Sequence, residues 1–162
     1  MDPSMRSFLI TTGKQALEAN HAMGDEEFMP TLVIERGGKY EIALMIGAHP
    51  TVMMRASLPM LREQEPDVLG LTVDSFMAQG DAETVLSMRE RHDGSLASAF
   101  AAGEEGVYET LVIYIVSASD HDVIQLPYTR TDNGIIWHED VEFPEHAVFG
   151  GDLLDAMQAV WS

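Results

Sequence analysis

The run Leu111-Val112-Ile113-Tyr114-Ile115-Val116 constrains this chain more than any other segment. Consecutive apolar, mostly β-branched residues suit a strand rather than a surface helix. A strand with one wet face alternates polar and apolar residues, and this run does not alternate, so it must be covered on both sides. It sits inside Val107 to Ser117, with Gly103-Glu104-Glu105-Gly106 as the turn before it and Ser119-Asp120-His121-Asp122 as the turn after it. A central strand of this kind needs neighbours in its plane and helices above and below.

The neighbours are legible. Val123 to Arg130 returns along the central strand, Thr131-Asp132-Asn133-Gly134 turns, and Ile135 to Phe143 is read as the last strand. Pairing Arg130 with Ile135 puts Tyr128 opposite Trp137, Leu126 opposite Glu139 and Ile124 opposite Val141. One face then holds Ile124, Leu126, Tyr128, Trp137 and Val141, and the other holds Gln125, Pro127, His138, Asp140 and Glu142. A slip of one residue would mix the two sets, so the pattern itself selects the register. Upstream, Thr31 to Glu35 and Lys39 to Ile46 form a hairpin around Arg36-Gly37-Gly38, where paired glycines supply the positive φ of a tight turn. In its second strand Tyr40, Ile42, Leu44 and Ile46 alternate and face one side. Val68 to Met77 reads as a further strand, with Leu69, Leu71, Val73 and Met77 on one side.

Helices fill the remainder. Asp2-Pro3 starts the first, which runs to about Ala22 despite Gly13. His49-Pro50 opens a second that carries Pro59 inside it, so a kink or split is expected near Ser57. Asp81 caps a third helix through Arg91, and Ser95 to Ala102 adds a short one. Asp152 is read as the N-cap of a final helix with Leu153, Leu154, Met157, Val160 and Trp161 on one stripe. The order is α-β-β-α-β-α-β-β-β-α. It defines an α+β fold with a mainly antiparallel sheet of about six strands and helices packed on it. Residues 1–162 are read as a single domain, in which the acidic loop 23–28 would let helix 1–22 move as a unit.

Charge bears on partners. The chain has 27 acidic and 9 basic residues, a net of −18. Residues 1–91 hold 14 acidic and 8 basic side chains (−6), and residues 92–162 hold 13 acidic ones against Arg130 alone (−12). Such a surplus repels nucleic-acid phosphates and anionic membrane surfaces, so neither is an expected partner. No apolar stretch approaches the roughly 18 residues of a membrane span, and no secretory signal is evident near Arg6, so a cytoplasmic protein is expected. The absence of Cys excludes disulfides and thiolate chemistry.

Chemistry-bearing constellations are few. His138, Asp140 and Glu142 project from one strand face, with His146 beyond Pro144, and mixed imidazole and carboxylate ligands would suit a divalent metal. Their spacing of about 6.5–7 Å is wide for one ion, and the solvated outer face of an acidic protein is the plainer account. Glu139, opposite Leu126, would be desolvated and, beside Tyr128, could act as a general acid or base; an ion pair at the sheet margin is the plainer account. Asp74, inside an apolar strand, calls for an arginine, with Arg55, Arg62, Arg89 and Arg91 as helix-borne candidates. Ser75 lacks a nucleophile elbow, and Arg36-Gly37-Gly38-Lys39 lacks phosphate-loop spacing. No cofactor site is evident. These features favour a non-enzymatic interaction or regulatory protein that meets a basic protein surface. The alternatives are a metal-assisted hydrolase using His138, Asp140 and Glu142, and a DNA mimic that occupies a nucleic-acid-binding protein. Oligomeric state is left open.

Overall fold

A computed structural model describes residues 3–25, 27–46, 49–139 and 151–162. It is an α+β fold with the expected order of elements. The helices are α1 (Pro3–Ala22), α2 (Pro50–Gln64), α3 (Ala82–Arg91), α4 (Leu96–Ala101) and α5 (Asp152–Gln158), the last continued by a 3-10 turn, Ala159–Trp161. The strands are β1 (Thr31–Arg36), β2 (Lys39–Leu44), β3 (Val68–Ala78), β4 (Val107–Ser117), β5 (His121–Thr131) and β6 (Gly134–Trp137). They form one antiparallel sheet in the order β2-β1-β3-β4-β5-β6.

The central position of β4 follows from its apolar run. Leu111, Ile113 and Ile115 point to one face and pack with Met5, Leu9 and Leu17 of α1. Val112 and Val116 point to the other and pack with Met54 and Leu61 of α2 and Leu154 and Met157 of α5. Burying a side chain of this size stabilises by about 1.5–3 kcal/mol, so each face is a core in its own right. Helix α1 lies across β3, β4 and β6. It comes close because the sheet lacks a side chain beneath it. A Cβ on Gly70 would lie 2.5 Å from Leu9 Cδ1, and one on Gly13 would lie 3.3 Å from Thr72 Cγ2.

The β5–β6 register is Arg130 with Ile135 and Tyr128 with Trp137, as the alternation predicts. The strand is shorter than expected, however. β6 stops at Trp137, so His138 and Glu139 lie beyond it and both are exposed. The expected Leu126–Glu139 pairing is not among the β5–β6 partners, and Val141 falls outside the described residues.

Two helix expectations are adjusted. α2 is one continuous helix through Pro59, so the expected split near Ser57 does not occur. Pro59 is exposed, so the carbonyl that loses its partner can be hydrated instead of splitting the helix. Helix α5 takes Gly151 as its N-cap, and Asp152 is its first helical residue with no side-chain cap bond. There Asp152 and Asp155 still favour the positive end of the helix dipole. Two other caps are as read: Asp81 accepts from the Thr84 N–H at 2.8 Å, and His49 Nδ1 accepts from the Thr51 N–H at 3.2 Å, while Asp2 lies outside the described residues. Trp161 is half-buried and donates to the Pro66 carbonyl at 3.0 Å.

Candidate functional site

Two places on the α1-bearing face of the sheet depart from an ordinary core. The first is a polar quartet contributed by adjacent strands. In an antiparallel sheet, directly paired residues point to the same side. Asp74 of β3 pairs with Leu111, Leu111 pairs with Leu126, and Glu109 pairs with Tyr128. Strand alternation then places Asp74, Glu109, Tyr128 and Arg130 together on the face that α1 covers.

Their contacts are mutual. The Tyr128 hydroxyl donates to Asp74 Oδ1 at 2.5 Å. Arg130 Nε donates to Glu109 Oε1 at 3.3 Å and Oε2 at 3.2 Å. Arg130 Nη2 reaches Asp74 Oδ2 at 3.4 Å and the Tyr128 oxygen at 3.3 Å. Burial pushes the Asp74 carboxyl above the usual aspartate range, against the opposing pull of Tyr128 and Arg130. Burial likewise raises Glu109, again against Arg130. Tyr128 is raised by burial first and by its bond to Asp74 second, so it stays a hydrogen-bond donor. A cleft of about 440 Å³ lined by His21, Gly24, Asp25, Phe76, Glu109 and Arg130 opens beside the quartet. His21 is committed elsewhere: its Nε2 donates to the Thr131 carbonyl at 2.8 Å.

This geometry is that of a satisfied ion-pair network. Arg130 supplies donors to both carboxylates, and Tyr128 both donates and accepts within the group. Asp74 does take an arginine, but from β5 rather than from the helices.

The second place is the outer edge of β2. Ile42 and Leu44 are 59% and 57% exposed, on alternate positions of a strand that among the described residues has β1 alone beside it, and Ile46, two residues past the end of β2, is 65% exposed. Tyr40, on the same row, is half-buried and packs against Phe8 of α1 at 4.9 Å between ring centroids. Helix α1 crosses β3, β4 and β6 and leaves the rest of this row open. An edge strand normally carries charges, a bulge or a covering element to prevent further pairing. Here the row is apolar, and one side of the strand's backbone faces away from β1.

The residues singled out from the sequence fall elsewhere. His138 Nε2 lies 2.7 Å from the Thr129 hydroxyl, and the His138 backbone N–H donates to the Pro127 carbonyl. Asp140, Glu142 and His146 lie outside the described residues. Among the described residues no group of three His, Asp or Glu is arranged to hold a metal ion. Glu139 is exposed and so lacks the expected desolvation, whereas Tyr128 is buried as expected and bonds to Asp74. No protein-family model matches the chain, and neither a curated protein nor a solved structure matches it.

Proposed function

We propose that this chain is a protein-interaction module that accepts a partner strand along the outer edge of β2. The observation that carries this reading is the exposed alternating row Ile42, Leu44 and, just past the strand, Ile46, on a strand that among the described residues pairs on its inner side alone. Strand addition draws affinity from the backbone and specificity from alternate side chains, and this edge offers both. Such a row in contact with water would cost free energy that a partner strand recovers.

The other readings have less behind them. The described carboxylates of residues 92–162 include Glu105 and Asp132 at one end of the β4–β5 pair and Asp120 and Asp122 at the other. Asp152 and Asp155 lie on α5. A DNA mimic needs a continuous row of carboxylates, and Asp140, Glu142 and Glu145 lie outside the described residues. A partner with a basic surface rests on net charge alone, and a metal-assisted hydrolase rests on His138, Asp140 and Glu142, of which His138 alone is described.

The test is a photo-crosslinking amino acid placed at Ile42 in the full chain, with a control at exposed Thr129 of β5. The expected result is a protein adduct at Ile42 that is absent at Thr129. It should disappear when Leu44→Pro removes a backbone donor from the edge. Equal adducts at both positions, or an adduct insensitive to Leu44→Pro, would contradict the reading.

A further inference from the structure

We infer that the strand taken up by the β2 edge is β2 of a second copy of this chain, antiparallel to the first, with a two-fold axis at Ala43. This rests on the edge-binding reading above and names its occupant.

The backbone sets which registers are allowed. The Met45 N–H donates to the Pro30 carbonyl at 2.8 Å, so the odd-numbered residues of this strand aim their backbone groups at β1. Tyr40, Ile42 and Leu44 therefore aim theirs at the open edge, and Ile46 continues the same parity just past β2. With the axis at Ala43, Ile42 lies opposite the second copy's Leu44, and Tyr40 lies opposite its Ile46. Each outward group then meets an outward group. Ala43 meets its own counterpart as a non-hydrogen-bonded pair, and its side chain is small enough for close approach.

The side chains agree with the same register. The outward residues are also the apolar row, so the cross-strand pairs on that face are apolar with apolar. On the other face Glu41 lies opposite Met45, and no like charges oppose each other. An axis at Ile42 would instead leave Ile46 opposite the turn residue Gly38.

Charge favours this edge over other surfaces for self-association. Residues 31–44, which span β1, the turn and β2, hold Arg36 and Lys39 against Glu35 and Glu41, a net of 2 − 2 = 0. The rest of the chain then carries −18 − 0 = −18. Joining two copies at β2 puts β4, β5 and β6 of both at the far sides of the joint sheet. Repulsion between two acidic molecules is smallest in that arrangement.

The chain has no cysteine, so single substitutions report the register directly. Non-hydrogen-bonded partners sit about 4.5 Å apart between Cα atoms, within the span of a disulfide. Under oxidised glutathione the Ala43→Cys chain is expected to link to a second copy. The Glu41→Cys chain is not, because its two copies would be offset by about 13 Å along the strands. The unmodified chain is expected to sediment at twice its mass of 17.9 kDa. Ile42→Lys and Ile42→Pro are expected to weaken association by about tenfold or more while unfolding like the parent at concentrations below its dissociation range. Equal linking from Ala43→Cys and Glu41→Cys overturns the inference. So does a mass of 17.9 kDa at every concentration. If the chain is monomeric and the Ile42 crosslinker still gives a Leu44→Pro-sensitive adduct with another protein, edge binding stands and self-pairing falls. If that adduct is missing too, both fall.

Discussion

The quartet on β3, β4 and β5 and the row on β2 lie on the same face of one sheet, and their states are opposite. Asp74, Glu109, Tyr128 and Arg130 are ionisable groups brought largely out of water, yet they bond to one another. Ile42, Leu44 and Ile46 are ordinary aliphatic residues, yet they stand in water beside an unpaired backbone edge. Perturbed carboxylates draw attention as candidate chemistry, but a closed network spends its groups on stability. The unpartnered edge is where binding can still lower the free energy. The quartet should therefore control stability without affecting association, and the edge should do the reverse.

The largest expected effect comes from removing the quartet's cation. Arg130→Met leaves Asp74 and Glu109 facing each other without their shared donor. It should cost about 2–3 kcal/mol in urea unfolding, below the full cost for a dry pair because the group is partly wet. Measured above the dissociation range, the mass should not change. A neutral effect on stability would break the comparison from the quartet side.

Next in size is the edge. Ile42→Lys should raise the dimer dissociation constant by about tenfold or more, read by sedimentation, while changing monomer stability by less than about 0.5 kcal/mol. A large loss of stability would show that the row belongs to the monomer core.

A smaller effect concerns pH. The folded state holds Glu109 above its ordinary value of 4.5, so it keeps a proton that the unfolded chain releases. Stability from this group is therefore present below 4.5 and is lost as pH rises through the raised folded value. The urea midpoint of the wild type should fall relative to Glu109→Gln as pH increases across that window. A relative gain would mean that Arg130 outweighs burial.

The smallest expected effect is that of salt. Two chains of −18 repel at low ionic strength, so dimerisation should tighten modestly as salt screens them. An association that weakens with salt would point to an ion-paired interface rather than an apolar edge.

Much of this arrangement was legible in particular residues. The unbroken run Leu111 to Val116 requires cover on both faces, and β4 has it. Alternation in Val123 to Trp137 selects one register, and that register is present. The quartet was only half legible. Asp74 in an apolar strand signals a need for an arginine, but strand order decides which one, and no local pattern reveals that β3 and β5 flank β4. Once that order is known, parity alone assembles the four residues. The β2 row was visible as a row, but alternation reports which residues share a side and not whether anything covers it. The sequence overextends β6 because the alternation from Trp137 onward continues past the last pairing. Exposed Glu139 thus looked like a core residue.

Sedimentation equilibrium of the full chain and of Ile42→Lys, over a wide concentration range at moderate salt, tests the central claim most directly. The account predicts twice 17.9 kDa for the parent and 17.9 kDa for the variant at the same concentrations. A single mass of 17.9 kDa for both would contradict it.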